Sequence, residues 1–113
     1  MTEKASLFPI GTVVILKNAT AAIMISGYLA ESEQKPNYIW DYSGFLYPIG
    51  LQDETEVYTF DHSQIEHILA FGYQDRETFA FMQKIQQIAA NLYEAKKKEK
   101  NNENQYEGEN KNV

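Results

Sequence analysis

The sequence predicts an α+β fold: a small SH3-like β-barrel of about five short antiparallel strands, followed by one long C-terminal amphipathic helix. Three observations carry this expectation. Short runs of β-branched and aromatic residues alternate with turn chemistry between residues 12 and 71, as in a small sheet or barrel. An apolar stripe at helical spacing, free of Gly and Pro, follows between Thr78 and Tyr93. From Glu94 onward the only apolar side chains are Ala95, Tyr106 and Val113. The division is residues 1–74 as the barrel body, 75–95 as a helix packed on or beside it, and 96–113 as a disordered polar tail. Such a tail buries too little to offset its ordering entropy.

Thr12–Lys17 is the first strand, and its unbroken Val/Ile content implies burial on both faces. After a turn at Asn18-Ala19-Thr20, Ala22–Leu29 is its hairpin partner, with Gly27 marking a bulge or a close backbone approach. Glu31–Asn37 reads as an exposed loop, Tyr38–Phe45 as an aromatic third strand and Glu56–Phe60 as a fourth. Asp61 is placed to cap a single turn over His62–Ile65, and Glu66–Phe71 returns to strand character before Gly72 stops it. Four strands, a short helical turn and a fifth strand is the order of elements in SH3-like barrels.

An internal echo sits at the entry to two strands. Leu7-Phe8-Pro9-Ile10-Gly11 recurs as Leu46-Tyr47-Pro48-Ile49-Gly50, with one aromatic exchanged for another. Each copy predicts a tight type I turn, with Pro at the second position and Gly at the fourth. Two copies fall short of a solenoid.

The helix begins at Asp75 as N-cap, with Glu77 placing negative charge in the first turn. Phe81, Ile85, Ile88 and Leu92 fall at i, i+4, i+7 and i+11, flanked by Met82 and Ala89. Carried to Ala95, it reaches about 30 Å at 1.5 Å per residue, more than a small barrel needs for cover. Either the helix packs over an open end of the barrel, or part of its stripe belongs to a partner, homo-dimerisation included.

Charge narrows the partners. Beyond residue 93, five lysines balance five glutamates, so the folded body carries the whole net charge of −6. A body of that sign repels phosphate backbones and anionic lipid, so neither nucleic acid nor membrane is expected. Lys96-Lys97-Lys98 reads as a solvated helix end whose cations suit the helix dipole. Cysteine is absent, which removes disulfides, thiolate catalysis and Cys-type zinc sites. The N-terminus has no apolar run of signal-peptide length, and the expected location is the cytoplasm.

Reaction chemistry is sparse, and no catalytic, cofactor-binding or metal-binding residue is assigned. His62 and His67 straddle a turn-to-strand junction and share no helix face as paired metal ligands do. The glycines are scattered singly, which leaves no phosphate-cradling loop, and Ser26, Ser43 and Ser63 lack a nucleophile-elbow context. Asp53, Glu54, Glu56 and Asp61 sit in turns and at a cap, with no apolar pocket to separate their pKa values into acid and base.

Aromatic residues dominate instead: eight Tyr, six Phe and one Trp. Tyr38, Trp40 and Tyr42 alternate and therefore point to one face, and Tyr47 and Tyr58 extend the set. One reading makes that face core; the other makes it a recognition surface, since Tyr and Trp tolerate partial exposure and are enriched at hot spots. With Ile88 and Leu92 of the helix, these seven residues are the candidate partner-binding set.

The segments Leu7–Lys17, Met24–Tyr28, Trp40–Gly50, Phe60-Asp61-His62 and Phe71–Asp75 together resemble the bacterial family called domain of unknown function 4176. The most specific stretch is Asp41-Tyr42-Ser43-Gly44-Phe45-Leu46-Tyr47-Pro48-Ile49-Gly50, and the likeness spans roughly residues 7 to 82. It implies a Gram-positive bacterial setting among type VII secretion genes and LXG-type toxins. The expected role is then a non-enzymatic accessory protein, adaptor or chaperone, for a secreted toxin or its targeting factor. The alternative is an immunity protein that blocks a toxin domain, its acidity suiting a basic nuclease. The resemblance brings no catalytic residues, because its motifs are mostly turn and core positions.

Overall fold

The computed structural model describes residues 6–107, and the side chains of all of these except residues 54, 93 and 95–107. The strands are β1 (Val13–Leu16), β2 (Ala22–Ala30), β3 (Trp40–Tyr47), β4 (Tyr58–Phe60) and β5 (Ile65–Ala70), followed by helix α1 (Arg76–Glu107). One-turn 3-10 helices lie at Glu54–Glu56 and His62–Gln64. The fold is therefore α+β, with the elements in the order the sequence predicts. The strands form one antiparallel sheet in the order β4-β3-β2-β1-β5. The sheet is open: β4 and β5 are its two edges, and a pairing that would join them into a closed barrel is not among the described residues.

The β1–β2 hairpin turns through Asn18 at φ 63°, a left-handed conformation that Asn tolerates, with the Ala19 N–H donating to the Leu16 carbonyl at 3.2 Å. β2 is shared between neighbours: its first residues pair with β1, while its whole length runs against β3. The register shifts between Ile25 and Gly27, which is the irregularity that Gly27 signals in the sequence. On β3, a Cβ at Gly44 would lie 2.6 Å from the Met24 carbonyl oxygen and 2.7 Å from Ile23 Cγ2, so the two strands meet there as closely as backbone allows.

The core gathers Leu7, Val14, Ile23, Ile25, Tyr42, Phe60 and Ala89, with Tyr28, Leu46, Met82 and Ile85 packed against it. Adjacent Val13 and Val14 are both buried, which is the two-faced burial read from the β1 sequence.

Both copies of the Leu-x-Pro-Ile-Gly motif end on a glycine with positive φ, Gly11 at 92° and Gly50 at 82°. The predicted type I geometry is not what they adopt. In the first copy Thr12 N–H donates to the Pro9 carbonyl, so Gly11 holds the third turn position, where type II turns require positive φ. In the second, the Tyr47–Pro48 peptide is cis and Gly50 N–H reaches back to Leu46.

Asp75 caps α1 as expected, accepting the Thr78 N–H and hydroxyl at 2.9 Å each. The helix then differs from expectation in two ways. It continues past Ala95 to Glu107, into part of the segment expected to be a disordered tail. No Gly or Pro interrupts it there, and Lys, Glu and Gln are good helix formers. Residues 108–113 of that expected tail lie outside the described residues. Second, only one side of the predicted stripe is packed: Met82, Ile85 and Ala89 meet the core, whereas Phe81 and Ile88 are 51% and 47% exposed. No helix among the described residues is long and apolar enough to cross a membrane.

Candidate partner-binding surface

The seven candidate residues separate into four environments. Tyr42 belongs to the core and is fully buried, which corrects its reading as a recognition residue. Its ring stacks on Phe60 across the β3–β4 pair at 5.3 Å between centroids and lies 6.1 Å from that of Tyr28. Its hydroxyl accepts the Phe8 N–H at 2.9 Å and stands 2.7 Å from Nδ1 of His62. With one lone pair taken by Phe8, the phenol proton is free to go to an unprotonated Nδ1. Burial pushes the Tyr42 phenol well above its ordinary pKa, opposed by the Phe8 hydrogen bond and reinforced by the Asp41 carboxylate.

That hydroxyl is one joint of a larger polar seam. Tyr28 donates to the Phe8 carbonyl at 2.6 Å and lies 3.1 Å from the Met82 sulfur, and burial pushes its pKa up to about 12. Leu7 N–H donates to Gln86 Oε1 at 2.6 Å. The residues before β1 are thus tied to the sheet by Tyr28 and Tyr42 and to the helix by Gln86. Phe8 also packs its ring against His62 at 4.7 Å and Phe71 at 5.6 Å.

Tyr38 and Trp40 are half-buried at the far end of β3, edge to face at 4.7 Å. Lys35 Nζ lies 4.1 Å from the Tyr38 ring centroid and 5.5 Å from that of Trp40, a cation–π arrangement that covers part of the pair. The Tyr38 hydroxyl donates to Asp61, and its pKa is pushed up by burial first and by that carboxylate second. Asp61 also accepts the Asp41 N–H, and Asp41 in turn accepts the His62 N–H. Asp61 therefore anchors β3 to the turn before β5, beyond the capping role read from the sequence.

Tyr47 and Tyr58 are exposed, at the two ends of the β3–β4 connection. Tyr58 pairs with Gly44 and so shares the face of Tyr42, but Tyr47 stands at odd spacing from Tyr42 and takes the opposite face. On the helix, Ile88 is exposed and Leu92 half-buried. The structure does not bring these seven residues together as one surface.

A different apolar surface is exposed where sequence reasoning did not look. Leu69, Phe71 and Tyr73 are 56%, 60% and 79% exposed, and Ile68 and Phe79 are exposed beside them in the chain. The signal available was Ile68-Leu69-Ala70-Phe71: consecutive apolar residues in a strand at the end of a sheet cannot all face one core. Next to Phe79, a cleft of about 580 Å³ is lined by Leu7, Pro9, Met82 and the amides of Gln83, Gln86 and Gln87 among others. Among the described residues, no three His, Cys, Asp or Glu side chains are grouped so as to hold a metal ion. What this arrangement offers chemically is apolar contact.

A family described as Domain of unknown function (DUF4176) matches residues 7–81, which takes in every strand and the first turn of α1. No curated protein and no solved structure matches the chain.

Proposed function

The chain belongs to the DUF4176 family, and we propose that it acts there as a non-enzymatic accessory protein, an adaptor or chaperone. Its partner in this reading is a type VII secreted LXG-type toxin or the toxin's targeting factor, bound in the cytoplasm. The observation that carries a binding role is the exposure of Leu69, Phe71, Tyr73, Phe79 and Phe81 along the passage from β5 into α1. Isolated soluble proteins seldom leave apolar side chains so concentrated without using them. The net charge of −6 argues that the surface meets protein rather than nucleic acid or anionic lipid. The toxin identity rests on the gene setting that the family resemblance implies.

The test is co-expression with the product of the neighbouring gene, followed by affinity purification of the accessory chain. Recovery of the toxin's helical targeting region supports the adaptor reading; no stable complex with toxin or targeting factor overturns it. A second reading, an immunity protein, is favoured by the same negative charge if the toxin domain is basic. Protection of cells from the isolated toxin domain selects it over the adaptor.

A further inference from the structure

We infer that the outer edge of β5 receives an extended segment of a protein partner as a sixth strand, and that this segment is apolar at alternate positions and flanked by Lys or Arg. Among the described residues, β5 is hydrogen-bonded to β1 on one side and ends the sheet on the other. In an edge strand, half of the backbone N–H and C=O groups face outward without a ladder partner. Proteins ordinarily guard such an edge with charge, proline or brevity. Here the edge is six residues long and lacks proline; its one carboxylate, Glu66, sits near the start of the strand, and the end beyond it passes through Ile68, Leu69 and Ala70. The register against β1 slips at Leu69, so Ile68 and Ala70 stand opposite the adjacent residues Val14 and Val13 and lie on opposite faces; both are exposed, and an added strand finds apolar side chains above and below the sheet. Main-chain bonds then supply affinity, and alternate side chains supply selectivity.

Charge decides the occupant. From residue 65 to residue 80, Glu66, Asp75 and Glu77 face the single cation Arg76, and the whole chain carries −6. A second copy would bring like charge to like charge, whereas a basic-flanked segment is attracted. This inference deepens the proposed function by naming how the partner is held, and rests on that reading only in taking the partner to be a protein.

The experiment uses the full chain and synthetic peptides of alternating Val/Ile and Ser/Thr, flanked by Lys in one series and Glu in the other, with binding read by fluorescence anisotropy. The expected result is saturable binding of the Lys-flanked series, weakened roughly tenfold or more by Leu69→Lys. Methylation of alternate peptide nitrogens on the pairing edge should abolish it, because the peptide keeps its side chains and loses its ladder. Circular dichroism of Leu69→Lys, and of the milder Leu69→Thr, confirms that both variants are folded. The inference is overturned by failure of every Lys-flanked peptide to bind, by equal binding of the Glu-flanked series, or by indifference to methylation. It is also overturned if the free chain sediments as a dimer that Leu69→Lys dissociates, since the occupant is then a second copy. A native partner captured equally by wild type and Leu69→Lys removes the edge and leaves the accessory role standing. Peptide binding without any captured toxin or targeting factor does the reverse.

Discussion

β4 and β5 terminate the same sheet, yet they meet solvent on different terms. β4 is three residues long, ends in the fully buried Phe60, and is bracketed by Asp53 and Asp61, each engaged at the start of a 3-10 turn. β5 is twice that length, and every residue in it after Ile65 is exposed. Brevity and adjacent carboxylates are ordinary protections against unwanted strand pairing; β4 has both, whereas β5 is longer and relies on Glu66 and two register shifts against β1. One edge is thus committed to the core through Phe60 and Tyr42, while the other contributes little burial of its own. Stability and availability for binding are divided between opposite ends of one sheet.

The sharpest way to break that comparison is truncation at each edge. Phe60→Ala should cost about 3–5 kcal/mol in chemical denaturation, as for a buried ring, and Leu69→Ala should stay within about 0.5 kcal/mol, as for a surface site. Equal losses would mean that β5 is as structural as β4. Gly44→Ala probes the β3 side of the guarded region. Its new methyl meets the Met24 carbonyl oxygen, which is backbone, as well as Ile23 Cγ2, and a loss of roughly 1–3 kcal/mol is expected from overpacking. Tyr42→Phe should cost about 1–3 kcal/mol, because it leaves the Phe8 N–H without its acceptor while preserving the ring stack.

Two pH measurements sharpen the contrast with smaller effects. Tyr28 has its folded pKa raised from 10.0 to about 12, so its contribution is complete below pH 10 and is lost as the pH rises toward 12. The alkaline fall in melting temperature should shrink in Tyr28→Phe, and a difference titration should lose a late tyrosine. Asp75 lies on the exposed side, after β5, and its carboxyl is held below the usual range by the Thr78 N–H and hydroxyl. Its contribution is present above the unfolded carboxylate pKa, about 4, and is lost as the pH falls through the lower folded value. Asp75→Asn keeps an acceptor and should flatten that acid dependence, with little change in stability at neutral pH.

The order of elements was legible because each boundary is local chemistry: Asn18 in its turn, Asp61 and Asp75 as caps, Gly27 at the bulge. The face of a residue was less legible where tertiary geometry decides it. The line through Phe81 and Ile88 has helical spacing, yet the core takes the flank of that stripe through Met82 and Ala89, about a quarter of a turn away. Trp40 and Tyr42 share a strand face as the alternation requires, but Tyr42 is drawn into the core by Phe8 and His62, partners 34 and 20 positions away. No pattern near residue 42 announces them. The two Leu-x-Pro-Ile-Gly copies make the same point, since near-identical pentapeptides place their glycines alike and bend through different peptide geometry.

The bond from Leu7 to Gln86 joins residues 79 positions apart, and Phe8 is held by Tyr28 and Tyr42 on the sheet. During synthesis, the segment that leaves the ribosome early is therefore completed by one that leaves late. When β5 has emerged, Leu7 still lacks Gln86, and the core still lacks Ala89 and the cover of Met82 and Ile85. Closing so long a loop carries its entropic cost before any of those contacts forms. The consequence is a nascent chain that cannot complete its own interior until α1 is outside the exit tunnel, and a stalled chain ending before Gln83 should remain open to proteases.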